Sequence, residues 1–344
     1  MVSLGNVEAL LRELEAADEF SGAVAVTQGN QELLLEAYGY ASRTWNIQAT
    51  VETRFDTASI TKLFTAVATL QLVEQGAFAL DTPVIPFLGL EETGISPAVT
   101  PYHLLTHTSG IADDADEEAG ERYEDVFLHR PNYSVIETID YLPQFVGKPP
   151  NFAPGEGCRY CNVAYVLLGL MIESASRTTY RSYVAEHVFA PAGMSRSGFF
   201  RMDVVEPDVA EGVEPIEGGW RRNIYSYPPV GGPDGGAHVT VGDLLHFHRA
   251  VTGGRLLGAA LTAELLSPKV RYRPRGTGSH LMGFGFEFET DADGAVRCYW
   301  KEGVNVGVSG ILRHYPPQDV TVALLAVGEN AAWGPIRALD EALS

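Results

Sequence analysis

Two sets of β-forming stretches stand at opposite ends of this chain, with helical and looped sequence between them. Near the start, Gly22-Ala23-Val24-Ala25-Val26-Thr27 and residues 32–38 read as an antiparallel hairpin turning at Gln28-Gly29-Asn30. Near the end come residues 283–289, 296–301 and 307–315 and the unbroken apolar run 320–327, followed by a last helix over 333–343. Strands at both termini bury their apolar faces most simply in one sheet, which makes the middle an insertion. The expected fold class is α+β: an antiparallel sheet flanked by helices, built from both termini, with an inserted, mostly helical domain. Residues 1–75 with 265–344 form the sheet domain in this reading, and 76–264 the helical one.

A chain of 344 residues that is 45% hydrophobic has material for a substantial core and room for about two domains. Its 24 basic against 44 acidic residues leave a charge of −20, which repels nucleic acid and anionic lipid. Neither is expected as a partner. Residues 1–8 lead into Leu10-Leu11-Arg12-Glu13-Leu14-Glu15, an amphipathic helix rather than a signal peptide, and no run of about 18 apolar residues occurs. The expectation is a cytoplasmic protein with no membrane segment. Cys158, Cys161 and Cys298 are too few for a disulfide framework. Cys158 and Cys161 form a C-x-x-C, but zinc would need ligands this stretch does not offer, so both are read as free thiols.

Residues 56–67 read as a helix that starts at or just before Ser59, with apolar residues at Leu63, Val67 and Leu70. Ser59 and Lys62, three apart, share a face near the helix N-terminus, where unpaired N–H groups can receive an oxyanion. That is a serine nucleophile beside its base. Only four lysines occur, Lys62, Lys148, Lys269 and Lys301, and no other serine has a lysine three residues on. His103 and His107 stand four apart, but no glutamate lies beside His103 as a zinc-protease motif requires. Packing or hydrogen bonding is expected of them, and no metal or other cofactor. In the glycine-rich loop 231–236, close backbone approach to a ligand and to a neighbouring segment remain equal readings.

Ser59-x-x-Lys62, then Tyr160-x-Asn162, then Lys301-Glu302-Gly303, resemble in order and spacing the three motifs of the serine β-lactamase and penicillin-binding-protein superfamily. The likeness is to its branch of class C β-lactamases, esterases and D-amino-acid peptidases. Leu105-Thr106-His107-Thr108-Ser109-Gly110, Pro191-Ala192-Gly193-Met194 and Gly307-Val308-Ser309-Gly310 also look like that branch. The resemblance covers nearly the whole chain and implies a β-lactamase/transpeptidase-like fold with the active site in the cleft between the two domains. It also implies an oxyanion hole made by the backbone N–H groups of Ser59 and Val304.

The chemistry asked of these residues is definite. An amine with a reference pKa of about 10.4 takes a serine proton near neutrality only where its charged form is disfavoured. Lys301 beside Lys62 would do that, and both cations would stabilise a phenolate of Tyr160 as a second base. Asn162 would orient Lys62 or a substrate carbonyl. Two departures stand out: Cys161 where many relatives have serine, and Glu302 where β-lactamases and carboxypeptidases hold a substrate carboxylate with a hydroxyl. An ideal strand points Glu302 away from the face Lys301 uses. The expected activity is a serine hydrolase, acylated on Ser59, acting on esters or amides of small molecules. Alternatives are a β-lactamase or D-alanyl carboxypeptidase, a silent binding protein on the same fold, and a metal hydrolase using His103, His107 and the acidic loop 113–121.

Overall fold

The computed structural model describes residues 4–343; the reading of Met1, Val2 and Ser3 as part of no signal peptide lies outside the described residues. Eight strands form one sheet: β1 (Ser21–Gln28), β2 (Gln31–Tyr38), β3 (Val270–Arg275), β4 (Gly278–Met282), β5 (Glu287–Thr290), β6 (Val296–Asn305), β7 (Val308–Tyr315) and β8 (Val320–Val327). Their order is β2-β1-β8-β7-β6-β5-β4-β3, and every neighbouring pair is antiparallel. The first strand pairs with the last, from Ser21 opposite Val327 to Gln28 opposite Val320. The sheet is therefore built from both termini.

Side chains alternate across a strand, so an unbroken apolar run must be buried on both faces. In β8, Val322 and Leu324 join Val24 and Val26 on one face, while Ala323 and Leu325 join Ala23 and Ala25 on the other. The first face is covered by α1 (Gly5–Ala16) through Val7 and Leu11 and by α5 (Trp333–Leu343) through Ile336 and Leu339. The second carries α2 (Lys62–Glu74), α3 (Val163–Ser176) and α4 (Val241–Thr252), whose apolar side chains form one continuous cluster with it. Every residue of α3 from Val163 to Ile172 is buried. A helix apolar on all sides belongs at the centre of a protein, and each fully buried Val, Leu or Ile there contributes about 1.5–3 kcal/mol.

The region expected as one strand over 283–289 is broken. Gly285 adopts φ +84, and a Cβ on it would lie 3.1 Å from the Ala66 side chain, so the chain turns over α2 before β5 begins. The hairpin β3–β4 was not anticipated, because its sequence carries three arginines, Arg271, Arg273 and Arg275, and Pro274. Those suit an edge strand: charge and proline keep an exposed edge from pairing further. The middle of the chain also holds a short hairpin, Val213–Ile216 with Gly219–Arg222, among its helices. No helix among the described residues is long and apolar enough to cross a membrane.

Candidate active site

The serine is presented by a strained turn. A 3-10 turn, Ala58–Thr61, precedes α2, so the α-helix begins at Lys62 and not at or before Ser59 as the periodicity suggests. Ala58 takes φ +41, a left-handed conformation that costs a non-glycine residue about 1–3 kcal/mol. The surroundings hold it there. Asp56 Oδ1 accepts the Ala58 N–H at 2.7 Å, the Thr57 hydroxyl donates to the Ala237 carbonyl at 2.8 Å, and the Ala237 N–H donates to the Thr61 hydroxyl at 3.0 Å. Strand β6 lies directly against this turn: a Cβ on Gly303 would be 2.0 Å from the Thr57 carbonyl and 3.1 Å from the Ser59 nitrogen. Only glycine fits. Strand β5 stops pairing at Trp300, so the edge of β6 beyond it faces the turn, and Val304 lines the cleft with Ser59.

Lys62 is fully buried, and its Nζ reaches three oxygens: Ser59 Oγ at 3.0 Å, Asn162 Oδ1 at 2.7 Å and the Asp234 carbonyl at 2.6 Å. The last two can only accept. The Asn162 amide is fixed in that sense, because its Nδ2 donates to Asp113 Oδ2 at 3.3 Å and to Glu117 Oε1 at 3.0 Å. A neutral Lys62 would give its two N–H groups to those carbonyl oxygens and turn its lone pair on Ser59. An ammonium there would be satisfied by all three.

The Tyr160 hydroxyl donates to Ser59 Oγ at 2.9 Å, and its ring stacks on His107 with centroids 4.6 Å apart. Lys301 and Lys62 nitrogens lie 4.6 and 5.2 Å from the ring centre. The expected phenolate is not the resting form. Burial raises the hydroxyl's pKa well above its ordinary value, and the opposing pull of Lys62 does not reverse it. His107 does not share a helix face with His103: the helix Pro101–Leu105 ends before it, and His107 takes φ +58. His103 Nδ1 lies 3.0 Å from the Thr100 hydroxyl at the helix start, whereas His107 Nδ1 accepts the Cys161 N–H at 3.1 Å. Burial, then the charges of Lys301 and Lys62, keep His107 neutral.

Lys301 is also buried, but it has its own counter-ion. Its Nζ donates to Glu287 Oε1 at 2.7 Å, and Glu287 Oε2 lies 2.8 Å from His280 Nε2. The expectation that Lys301 acts as a bare cation on Lys62 is corrected accordingly: a carboxylate offsets its charge. Burial alone would raise Glu287; Lys301 and His280 outweigh it and hold the carboxyl below its ordinary range. Glu287→Gln is expected to cost about 3–5 kcal/mol of stability, since it leaves Lys301 buried without a counter-charge. The sign with pH is fixed. A depressed folded pKa gives stability that is full above the free value of 4.5 and lost as pH falls through the lower folded value. Denaturant unfolding between about pH 3 and 7 checks both points; an unchanged midpoint in the variant at pH 7 contradicts them.

Ser59, Tyr160, Lys301, Glu302 and Val304 thus border one open cleft. Glu302 does alternate with buried Lys301 and is exposed, as strand geometry requires, yet it still lines this cleft. Four further residues escaped the sequence reading: Asp113, Glu117, Asp234 and Glu287. Asp113 accepts the N–H groups of Asn162 at 2.7 Å and Val163 at 3.0 Å, and so anchors the loop carrying Tyr160. The acidic loop was visible, but nothing in its composition says which carboxylate turns inward. In the glycine-rich loop, Gly235 and Gly236 lie against Ala58, the Gly236 N–H donating to the Ala58 carbonyl at 3.3 Å, and the same loop also lines a hollow beside Ser59. All three cysteines are free, and burial raises their thiols, Cys158 to about 12 and Cys298 to about 11.

A terminus-built antiparallel sheet, with Ser-x-x-Lys at the head of a buried helix and Tyr-x-Asn facing it, defines the β-lactamase/transpeptidase-like fold. The chain belongs to the Beta-lactamase family, whose profile matches residues 7–340. Penicillin-binding protein 4* of Bacillus subtilis (strain 168) is 31% identical over 195 residues, 56% of this chain and 41% of that protein, so this chain spans less than half of that relative. Esterase EstB of Burkholderia gladioli is 29% identical over 293 residues, 78% of this chain and 74% of the esterase. The solved structure of a penicillin binding protein from Bacillus halodurans superposes with a TM-score of 0.89 at 35% identity, over 96% of this chain and 99% of that one. A D-stereospecific amidohydrolase from Streptomyces sp. shares the fold, at 23% identity and a TM-score of 0.77 over 97% of each chain.

Proposed function

We propose that this protein is a serine hydrolase that forms an acyl-enzyme on Ser59 from esters or amides of small molecules. The observation that carries it is the surroundings of Lys62: two carbonyl oxygens that can only accept, and the Ser59 hydroxyl 3.0 Å away, whose proton the amine can take. Ser59 Oγ bonds to the substrate carbonyl carbon as its proton passes to Lys62. The backbone N–H groups of Ser59 and Val304 receive the oxyanion; donors so placed are typically worth about 3 kcal/mol each. As the bond to the leaving group breaks, Tyr160 gives it a proton and recovers one from Lys62. Hydrolysis retraces these steps with water in the leaving group's place: Tyr160 accepts its proton as its own moves to Lys62, and Lys62 returns a proton to Ser59.

Esterase rather than β-lactamase or D-alanyl carboxypeptidase action is favoured by Glu302. A leaving group bearing a carboxylate would meet that side chain in the Tyr160 cleft. Two unit charges about 6 Å apart at an effective dielectric of 20 to 40 repel by roughly 1–3 kcal/mol, or about one to two orders of magnitude in kcat/KM. Neutral short-chain esters are expected to outperform penicillins and cephalosporins, and Glu302→Thr to shift the ratio toward the β-lactam, most strongly at low ionic strength. A chromogenic cephalosporin hydrolysed faster than every neutral ester, or a ratio unmoved by Glu302→Thr, contradicts this choice of substrate.

A further inference from the structure

Ser59 and Val304 stand where two hollows meet. One is the cleft of Tyr160, Lys301 and Glu302 already described. The other is a cavity of about 470 Å³, its open mouth included, walled by Glu117, Tyr123, Tyr141, Tyr227, Asp234 and Asn305 among others. Since Tyr160 is the proton donor to the leaving group, the leaving group occupies the first hollow. The acyl part must extend into the second.

The second hollow is lined by a carboxylate one of whose oxygens has no hydrogen-bond partner. Asp234 is only 7% exposed, and its Oδ1 is buried without a hydrogen-bond partner. Buried polar atoms are rarely left so, and an unmatched carboxylate oxygen is among the costliest. Its main chain is otherwise engaged, the carbonyl holding Lys62 at 2.6 Å. Among the described residues lining the cavity none is Lys, Arg or His, and Glu117 adds a second carboxylate. The three tyrosines supply aromatic surface of the kind that receives cations. Burial raises the Asp234 carboxyl, with Lys62 opposing, so a cation brought against it would stabilise its charged form.

We propose that this cavity is the subsite for an ammonium group on the acyl part of the substrate, with Asp234 as its counter-charge. The preferred acyl donors are then small esters or amides of amino acids. The proposal rests on the acyl-enzyme reading for its orientation, but the binding of a cation can be tested apart from turnover.

Ethyl esters of glycine, β-alanine and 4-aminobutyrate, each compared with the isostere bearing methyl for ammonium, measure the preference and the reach. At one length or more the amino ester is expected to exceed its isostere in kcat/KM by about 10- to 100-fold, the range of a hydrogen bond to a charged group. Asp234→Asn is expected to reduce that ratio by at least about tenfold, chiefly through KM. A ratio near one at every length, or one that Asp234→Asn leaves unchanged in a folded variant, overturns the proposal. Should that variant not fold, calorimetry on the wild-type protein decides: butylammonium must bind more tightly than 1-pentanol, and equal or weaker binding overturns it. Ser59 labelling by a fluorophosphonate separates the two readings. Labelling without an ammonium preference removes the subsite alone; ammonium binding without labelling removes the acyl-enzyme.

Discussion

Lys62→Met is expected to lower kcat/KM toward any ester by about 10³- to 10⁵-fold, because the one other group against the Ser59 hydroxyl, Tyr160, is held protonated by burial. Methionine keeps most of the buried stem and removes only the amine. The loss should fall mainly on kcat, since the amine contacts Ser59, Asn162 and the Asp234 carbonyl rather than any bound group. Those two acceptors lose their donor, at about 1–3 kcal/mol each, so a lower melting temperature is expected as well. Rates must therefore be read where circular dichroism shows the variant folded. A folded Lys62→Met enzyme within tenfold of wild type would mean that Ser59 is activated by another group.

Tyr160→Phe is expected to slow turnover by about 10²- to 10⁴-fold, the range of a lost general acid or base. The substitution isolates the hydroxyl. The ring keeps its stack on His107 and its place beside Lys301, while the 2.9 Å bond to Ser59 and the hydroxyl's contact with Lys62 disappear. Because Tyr160 has to protonate the leaving group, the defect should shrink for esters of acidic phenols, which depart without a proton, and grow for alkyl esters and amides. Equal defects across that series would make Tyr160 a positioning residue for Ser59. Full activity on alkyl esters would place the proton donor elsewhere.

The residues that the sequence made legible are those whose chemistry depends on type and spacing. Ser59, Lys62, Tyr160 and Asn162 meet because a turn and two buried helices carry them, and the apolar runs of those helices are plain in the sequence. The terminus-built sheet was legible for the same reason, through the double-sided burial of residues 320–327. What escaped was the carboxylates. A buried lysine requires a counter-charge, so Lys301 implies one, yet Glu287 opens a short, ordinary strand sequence and only the register of β5 on β6 brings it within reach. The same gap misjudged Tyr160: nearby lysines were visible, but the burial that outweighs them was not. The strained Ala58 left no trace either, since alanine is not a residue from which a left-handed turn would be read.

The central claim is that Ser59 becomes acylated, and intact-protein mass spectrometry reads that directly. Wild-type protein treated with a fluorophosphonate, and separately with an activated ester under rapid acid quench, should gain the mass of one phosphonyl or one acyl group. Peptide mapping should place both on Ser59, and Ser59→Ala, folded and otherwise unchanged, should gain neither. An adduct on any other residue, or turnover of the ester by folded Ser59→Ala within tenfold of wild type, would contradict the claim.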